Sequence, residues 1–218
     1  APAPHGCGTT IAVRDLFFNT PARRRFLRSE RTEFQHIETT VKRMALAHFD
    51  SAFALIHNGR QIFQLPAAND EAAQEKRVAL LCGKEFMRHA LYVNLTATGL
   101  KLRGWIAEPS FSRSQADLQY FYVNRRMVRD RLVNHAIKRA YQDVLYHGRF
   151  PAFVLFLDMP HDEVDVNTHP QKLEVRFCHG SLIYDFISQR IKQALSAQRG
   201  SGSDGRQLTA QQFAPQSA

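Results

Sequence analysis

Two pairs of strand-like segments, each joined by a tight turn, constrain the fold of this chain more than any other sequence feature. In the first pair, β-branched and aromatic residues over 51–65 flank Asn58-Gly59, a dipeptide typical of a type I′ turn. In the second pair, a similar alternation over 91–108 turns at Thr98-Gly99. Both patterns predict β-hairpins, so the fold must include antiparallel sheet.

Segments with a helical spacing of apolar residues lie between and after these strands. Thr20 followed by Pro21 is typical of a helix start, and that helix would carry the arginines from Arg23 to Arg28. The patterns predict further helices over 30–49, 71–81, 130–146 and 181–195, and strands over 9–13, 118–124, 153–157 and 172–177. Because helices and strands mix irregularly along the chain, the predicted class is α+β.

Composition divides the chain into three regions. The stretch 66–70 has the character of a linker, and we place a domain boundary there, between residues 1–66 and residues 67–196. From 197 to 218, Ser, Gly, Gln and Ala dominate and no apolar periodicity remains. We therefore expect residues 197–218 to be a disordered linker.

Charge and cysteine content limit the functional classes. The net charge of +9 favours a polyanionic partner, such as nucleic acid, nucleotide or an anionic membrane. The chain has neither a signal peptide nor an apolar run near the roughly 20 residues that cross a bilayer, so the cytoplasm is the expected compartment. Cys7, Cys82 and Cys178 form no CxxC pair, and the spacing of His169, Cys178 and His179 matches no common zinc site. We expect neither a disulfide framework nor a metal site.

Basic residues concentrate in two clusters. The first contains Arg23, Arg24, Arg25 and Arg28, and the second contains Arg113, Arg125, Arg126, Arg129, Arg131, Lys138 and Arg139. In the helix predicted over 130–146, the apolar residues form one stripe, which leaves Arg131, Lys138 and Arg139 on other faces. Such side chains suit contacts with DNA phosphates, which hold DNA without reading its sequence.

An alternative is a solvated helix face with no partner, and from charge alone the two interpretations are about equal. The predicted turn at 124–127 favours binding, because it presents Arg125 and Arg126 at a loop tip. Stacking on single strands would need an exposed aromatic ring among Tyr120, Phe121 and Tyr122. We expect those rings to pack within the sheet instead.

The segment from 165 to 177 is the most unusual in the chain. Pro170 forces His169 toward extended geometry, which makes a rigid turn. Lys172 then stands where the next strand starts, and its ammonium group could contact a terminal phosphate. The alternative is an ordinary surface lysine, since the sequence has no Walker A motif and no GxGxxG after a strand.

Three ordered motifs resemble those of the MutL family of DNA mismatch repair proteins. The residues at 8–27 are similar to the family's GTT…DLFFNTPARRKFL signature, those at 122–126 to its YVNGR segment, and those at 164–177 to its VDVNVHPxKxEVRF segment. The resemblance covers about residues 8–195, and its details are nearest to bacterial members. It implies that residues 1–66 are the C-terminal part of a GHKL-type ATPase domain. Residues 67–196 would be a ribosomal-protein-like α/β sandwich of the gyrase B second-domain type.

The resemblance also implies roles for individual residues. Thr9 and Thr10 would belong to the last ATP-site motif, Lys172 would reach the γ-phosphate of ATP bound with Mg²⁺, and Arg131 would contact DNA. The implied function is that of an ATP-gated matchmaker, associated with the nucleoid, which binds DNA non-specifically and forms a homodimer when ATP binds. A MutS-type protein would recognise the mismatch, and a nuclease or helicase would act downstream.

The sequence departs from the family pattern in what it does not contain. The helix with the catalytic Glu and the Mg²⁺-binding Asn, the DxGxG motif and the GFRGEAL lid are not found here, and neither is the dimerisation domain. We assign no catalytic residue and expect the chain alone neither to bind ATP tightly nor to hydrolyse it. Two other hypotheses stay open: a type II topoisomerase ATPase fragment, and a nucleic-acid-binding module with no link to nucleotide.

Overall fold

The computed structural model describes residues 7–166, 174–200 and 207–209. The chain divides into two compact units, of which the first runs to Thr40 and the second begins at Val41. Helix α1 (Pro21–Arg24), in the first unit, is a single turn, and helix α2 (Glu30–Ala47) begins after Ser29 in the first unit and ends in the second. The Ser29 hydroxyl accepts a hydrogen bond from the Thr32 amide at 3.3 Å. Such a cap satisfies one of the free N–H groups at the start of α2.

Two predictions for the first unit are wrong. Residues 9–13 are exposed and form no strand, because none of the described strands pairs with them and a β-branched run alone cannot supply ladder hydrogen bonds. The helix expected to carry all four arginines ends at Arg24, and the Thr20 side chain makes no capping hydrogen bond. Arg25 and Arg28 therefore lie between α1 and α2.

The second unit contains the remaining elements, which alternate between helix and strand in an irregular order. The strands are β1 (Phe53–His57), β2 (Arg60–Leu65), β3 (Ala90–Ala97), β4 (Leu100–Ala107), β5 (Ser112–Arg113), β6 (Gln119–Val123), β7 (Arg126–Val128), β8 (Phe150–Pro151), β9 (Phe153–Asp158), β10 (Val164–Asp165), β11 (Arg176–Phe177) and β12 (Gln207–Thr209). The helices are α3 (Glu71–Cys82), α4 (Lys84–Arg88), α5 (Arg131–Ala140) and α6 (Gly180–Gly200), with a 3-10 turn at His161–Glu163. The predicted α+β class is confirmed.

Both predicted hairpins are confirmed. Strands β1 and β2 are antiparallel, and Asn58 and Gly59 between them have φ angles of 49° and 77°. Strands β3 and β4 pair from Ala90↔Ala107 to Ala97↔Leu100, and Thr98 and Gly99 have φ angles of 51° and 78°. Two successive positive φ angles define the type I′ turn, whose twist matches that of the flanking strands.

A six-stranded sheet, in the order β12-β3-β4-β9-β6-β7, organises the second unit. Strand β9 lies inside it, antiparallel to β4 and parallel to β6. Its residues from Phe153 to Leu157 are all buried. A strand covered on both faces needs a continuous apolar run, so the predicted central strand is confirmed.

Helices cover both faces of this sheet. One face packs against α5 and α6 through a core that includes Val93, Leu102, Phe121, Leu155, Val133, Ile137, Ile183 and Ile187. The opposite face packs against the end of α2 and against α3 through a core that includes Ala45, Leu46, Phe49, Val78, Leu81, Trp105, Tyr122 and Phe156. We call these the α5–α6 core and the Trp105 core. Phe121 and Tyr122 are buried and Tyr120 is half-buried, as expected.

Gly104 lies where the sheet backbone is crowded. Its φ angle is +131°, and a Cβ atom built there would be 2.2 Å from the Val154 carbonyl oxygen of the neighbouring strand. Only glycine fits this position without moving β9.

The chain divides ahead of the boundary expected at Pro66. Leu65 and Ala68 are buried in the Trp105 core with Val78, and the Ala68 amide donates to the Phe49 carbonyl at 2.7 Å. The stretch at 66–70 therefore lies inside the second unit, held by packing on both sides.

Three element ends also differ from expectation. Helix α5 stops at Ala140, and the Tyr141 that follows is buried, with its hydroxyl donating to the Ala107 carbonyl at 2.6 Å. Helix α6 continues to Gly200, and residues 207–209 pair with β3, so part of the tail expected to be disordered has regular structure. Of the strand predicted over 172–177, the structure describes residues 174–177, and within these Arg176–Phe177 forms a strand.

Among the described residues, Arg77 is the most buried charged side chain, with 2% of its surface exposed. Its guanidinium donates to the carbonyls of Ala45 (3.1 Å), His48 (2.9 Å) and Ser51 (2.8 Å), and also to that of Pro66. Burial lowers the pKa of Arg77, while the charge of Asp50 raises it. Its charge is thus neutralised chiefly by backbone dipoles.

We predict that Arg77→Met lowers the free energy of unfolding by about 3 kcal/mol, because four carbonyls lose their donor in a buried place. Arg77→Lys should also destabilise, since one ammonium group cannot reach the same four oxygens. Urea unfolding of the chain measures both. The control is Arg88→Met, an exposed arginine on α4, which should change stability by less than about 0.5 kcal/mol. Equal stability of Arg77→Met and the parent would contradict the prediction.

Candidate nucleic-acid interface

Helix α5 presents part of the second basic cluster. Its first turn is capped by Asp130, whose carboxylate accepts from the amides of Leu132 (2.8 Å) and Val133 (3.3 Å). An apolar stripe of Val133, Ala136, Ile137 and Ala140 is buried in the α5–α6 core. Arg131, Lys138 and Arg139 are exposed, as the periodicity predicted.

A groove of about 620 Å³ lies between the first turns of α5 and α6. It is lined by Arg131, Leu132, His135, Gly180, Ser181, Tyr184 and Asp185. The two helices approach closely, because a Cβ atom at Gly180 would lie 3.0 Å from the Leu132 side chain. The positive ends of two helix dipoles therefore meet beside Arg131, although Asp130 already bonds the first amides of α5 and Asp185 adds a carboxylate to the lining. An anion in this groove would be stabilised by Arg131 and by the first turn of α6.

The basic residues of α5 lie at opposite ends of the helix, where the helix dipole affects a positive charge in opposite ways. Lys138 and Arg139 lie in the last turn, where a positive charge is stabilised by the helix dipole, and Arg139 donates to the Gln142 side chain. Arg131 lies in the first turn, where the same dipole opposes a positive charge. Helix stability alone thus accounts for Lys138 and Arg139 but not for Arg131.

The predicted Asn124-Arg125 turn joins β6 to β7, and both residues have positive φ angles, of 46° and 66°. Asn124 fixes the turn, because its side-chain amide donates to the Met159 carbonyl and accepts from the Met159 amide, both at 3.0 Å. The YVNGR pattern has glycine where this chain has Arg125. The Arg125 guanidinium contacts Asp50 at 3.0 Å and holds the pKa of that carboxyl below its ordinary value.

The remaining predicted cations are divided between the two units. Arg126 and Arg129 are exposed at the two ends of β7. Arg23, Arg24, Arg25 and Arg28 are exposed in the first unit, which is a separate compact body from the one that carries α5. Of the cations predicted to bind DNA, the second unit therefore exposes Arg131, Lys138, Arg139, Arg126 and Arg129, while Arg125 contacts a carboxylate.

The residues expected to contact ATP are only partly described. Thr9 and Thr10 are exposed and lie outside any helix or strand. Lys172 lies outside the described residues. Its segment is bracketed by the antiparallel pair β10 and β11, in which Val164 faces Phe177 and Asp165 faces Arg176. This pairing brings residues 166 and 174 toward each other, at the two ends of the segment.

Sequence reasoning missed two residues that affect this surface. Asp50 lies 75 residues from Arg125, and nothing in the local sequence links them. Arg43 was read as part of the predicted helix over 30–49, yet it is half-buried beside Arg129. Among the described residues, no three His, Cys, Asp or Glu side chains lie together as a metal ion would require. No helix of the described part combines the length and apolarity needed to cross a bilayer.

Comparison with known proteins identifies the family. A family model described as "DNA mismatch repair protein, C-terminal domain" matches residues 78–196, which is more than half of the chain. The curated relatives that match over most of the chain are named DNA mismatch repair protein MutL. This chain belongs to the MutL family of DNA mismatch repair proteins. The type II topoisomerase hypothesis is thereby disfavoured.

The MutL relatives match nearly all of this chain but are much longer than it. The MutL of Cellvibrio japonicus is 57% identical over 199 residues, which are 91% of this chain and 32% of that protein. The MutL of Azotobacter vinelandii is 55% identical over 198 residues, with 91% and 31% covered. This chain therefore spans about one third of the length of these relatives.

A solved structure supports the fold. The crystal structure of the N-terminal domain of a DNA repair protein superposes with a TM-score of 0.67 at 21% identity, covering 85% of this chain and 60% of that one. At this identity the likeness shows the fold alone.

We predict that Arg125→Gly raises the free energy of unfolding by roughly 1 kcal/mol, because glycine adopts a positive φ without strain. The lost contact with Asp50 is an exposed ion pair and contributes little. Thermal and urea unfolding measure the change. Asn124→Gly is the matched control: its φ is also positive, but it should destabilise because the bonds to Met159 are lost. A fall in stability on Arg125→Gly would show that the Asp50 contact outweighs the strain.

Proposed function

We propose that this chain is the DNA-contacting part of an ATP-gated mismatch repair matchmaker. Its second unit holds the phosphate backbone of duplex DNA without reading the base sequence. The groove beside Arg131 is the observation that carries this proposal. There a cation stands at the positive end of a helix, against the preference of the helix dipole, and a second helix begins beside it.

The chemistry of this surface fits a phosphodiester better than a neutral ligand. Arg131 can donate two parallel hydrogen bonds to phosphate oxygens, and the first turn of α6 begins beside it. Lys138 and Arg139 add exposed positive charges further along α5, and Arg126 is exposed on β7. Contacts of this kind release counterions from DNA, so the binding should fall steeply with salt and depend little on sequence.

The nucleotide part of the proposal rests on the sequence motifs. In the intact protein, Lys172 contacts the γ-phosphate of ATP, Thr9 and Thr10 belong to the same pocket, and Mg²⁺ accompanies the nucleotide. Pairing of β10 with β11 supports this role, because it anchors both ends of the segment that carries Lys172. ATP binding would dimerise the intact protein. A MutS-type protein would supply mismatch recognition, and a nuclease or helicase would follow.

We predict that Arg131→Glu weakens binding to a short duplex about tenfold at 0.1 M salt and reduces the salt slope by about one, since one phosphate contact is lost. Fluorescence anisotropy over a series of salt concentrations measures both quantities. Arg60→Glu, an exposed arginine on β2, makes the same change in net charge and is the control. Equal losses in the two variants would show that net charge alone matters and would remove Arg131 from the interface.

We predict that Lys172→Ala in the intact protein abolishes or strongly weakens ATP-dependent dimerisation, because the γ-phosphate loses its charged partner. Sedimentation with a non-hydrolysable ATP analogue measures the dimer, and Lys84→Ala, at the start of α4, is the control. Duplex binding without nucleotide should persist in both variants. Unchanged ATP-dependent dimerisation in Lys172→Ala would favour a nucleic-acid-binding module with no nucleotide link.

A further inference from the structure

Two arginines, Arg43 and Arg129, lie on the face of the six-stranded sheet opposite α5. Arg43 is in the last part of α2, which packs on the Trp105 core, and its carbonyl accepts a hydrogen bond from the Tyr122 hydroxyl at 3.0 Å. The side chain is half-buried, and its Nε atom is buried without a hydrogen-bond partner among the described residues. Buried polar groups normally have a hydrogen-bond partner, and among the described residues the Nε atom of Arg77 and the Nε1 atom of Trp105 are in the same state.

Arg129 reaches the same place from the edge of the sheet. Side chains alternate along β6 and β7, so that Tyr120, Tyr122 and Met127 face the Trp105 core while Val128 faces the α5–α6 core. Arg129 follows Val128 and is next in the alternation, on the side of Met127. The pKa of Arg43 is lowered first by its burial and then by the positive charge of Arg129, which agrees with the placement of both on this face of the sheet.

Elsewhere in the second unit, comparable cations have acidic partners. Arg125 contacts Asp50, and Lys192 contacts Asp143 at 2.8 Å. Arg113 contacts Asp117 at 2.6 Å. Within the described part of the chain, neither Arg43 nor Arg129 makes an ion pair, although their like charges repel. An oxyanion between the two groups would remove that repulsion.

We propose that Arg43 and Arg129 together bind one phosphate group of the DNA backbone. The inference rests on the proposed function and extends it. Strand β7 is the outermost strand of the sheet, with Arg126 on the α5 side and Arg129 on the opposite side. DNA that contacts Arg131 would therefore pass across this edge and meet the Arg43–Arg129 pair beyond it. Free inorganic phosphate offers the same chemistry as a phosphate group of DNA, and the experiment below distinguishes the two ligands.

The first arm measures duplex binding by fluorescence anisotropy over a range of salt concentrations. Arg43→Gln, Arg129→Gln and the double variant are compared with Arg60→Gln, which changes the charge by the same amount at an exposed position on β2. Each single variant should bind roughly fivefold more weakly at 0.1 M salt. If both arginines share one phosphate, the double variant should reduce the salt slope by about 0.9, and not by about 1.8. Its loss should also be less than the sum of the two single losses.

The second arm separates a binding role from a structural one. Without DNA, Arg129→Gln should leave the unfolding temperature unchanged or raise it, because a repulsion is removed. If Arg129 instead stabilised the fold, Arg129→Gln would lower the unfolding temperature. Inorganic phosphate should raise the unfolding temperature of the parent more than that of Arg129→Gln.

The outcomes are distinct from those of the proposed function. A salt slope in the double variant equal to the parent's overturns the inference, while a normal effect of Arg131→Glu in the same assay leaves DNA binding intact. Stabilisation by phosphate with unchanged duplex binding would assign the pair to free phosphate and would also overturn it. If the parent does not bind duplex DNA at all, the proposed function itself fails.

Discussion

The second unit depends on a buried cation that has backbone carbonyls as its partners. Arg77 donates to Ala45 and His48 at the end of α2, to Ser51 before β1, and to Pro66 after β2. The last carbonyls of a helix have no partner within it, and the helix dipole makes this end negative. One guanidinium therefore satisfies several orphan acceptors and ties three chain segments to α3. A carboxylate partner would have neutralised the charge but could not have joined these segments.

This arrangement also positions the surface that we assign to DNA. Because Arg77 holds the end of α2 against the sheet, Arg43 is brought above Tyr122 and beside the end of β7. The other face of the sheet is fixed separately, by the apolar stripe of α5 and the close approach of Gly180 to Leu132. Both faces of the sheet end at the edge strand β7. Arg131, next to the α5–α6 core, and Arg43, next to the Trp105 core, therefore lie on either side of this edge.

The predictions from sequence succeeded where a structure is decided by near neighbours. The turns at Asn58-Gly59 and Thr98-Gly99 and the apolar stripe of α5 all depend on residues a few positions apart. They failed where distant contacts decide. Residues 9–13 have β-branched side chains but no strand partner in the described part, and the boundary expected at Pro66 is crossed by the contacts of Arg77. Nothing in the sequence around Arg77 indicates that its guanidinium donates to four carbonyls elsewhere in the chain.

The same limit explains why a net charge of +9 is a poor guide to function. Arginines of one chemical type have three different environments here: Arg77 is buried among carbonyls, Arg125 contacts Asp50, and Arg131 stands at the positive end of a helix. The first two have partners that account for their positions within the protein. Arg131 and the Arg43–Arg129 pair are placed against the local electrostatics, and folding alone gives no reason for that. Natural sequences tolerate such local conflict mainly at functional sites, which is why the unpaired cations, and not the total charge, indicate where a polyanion binds.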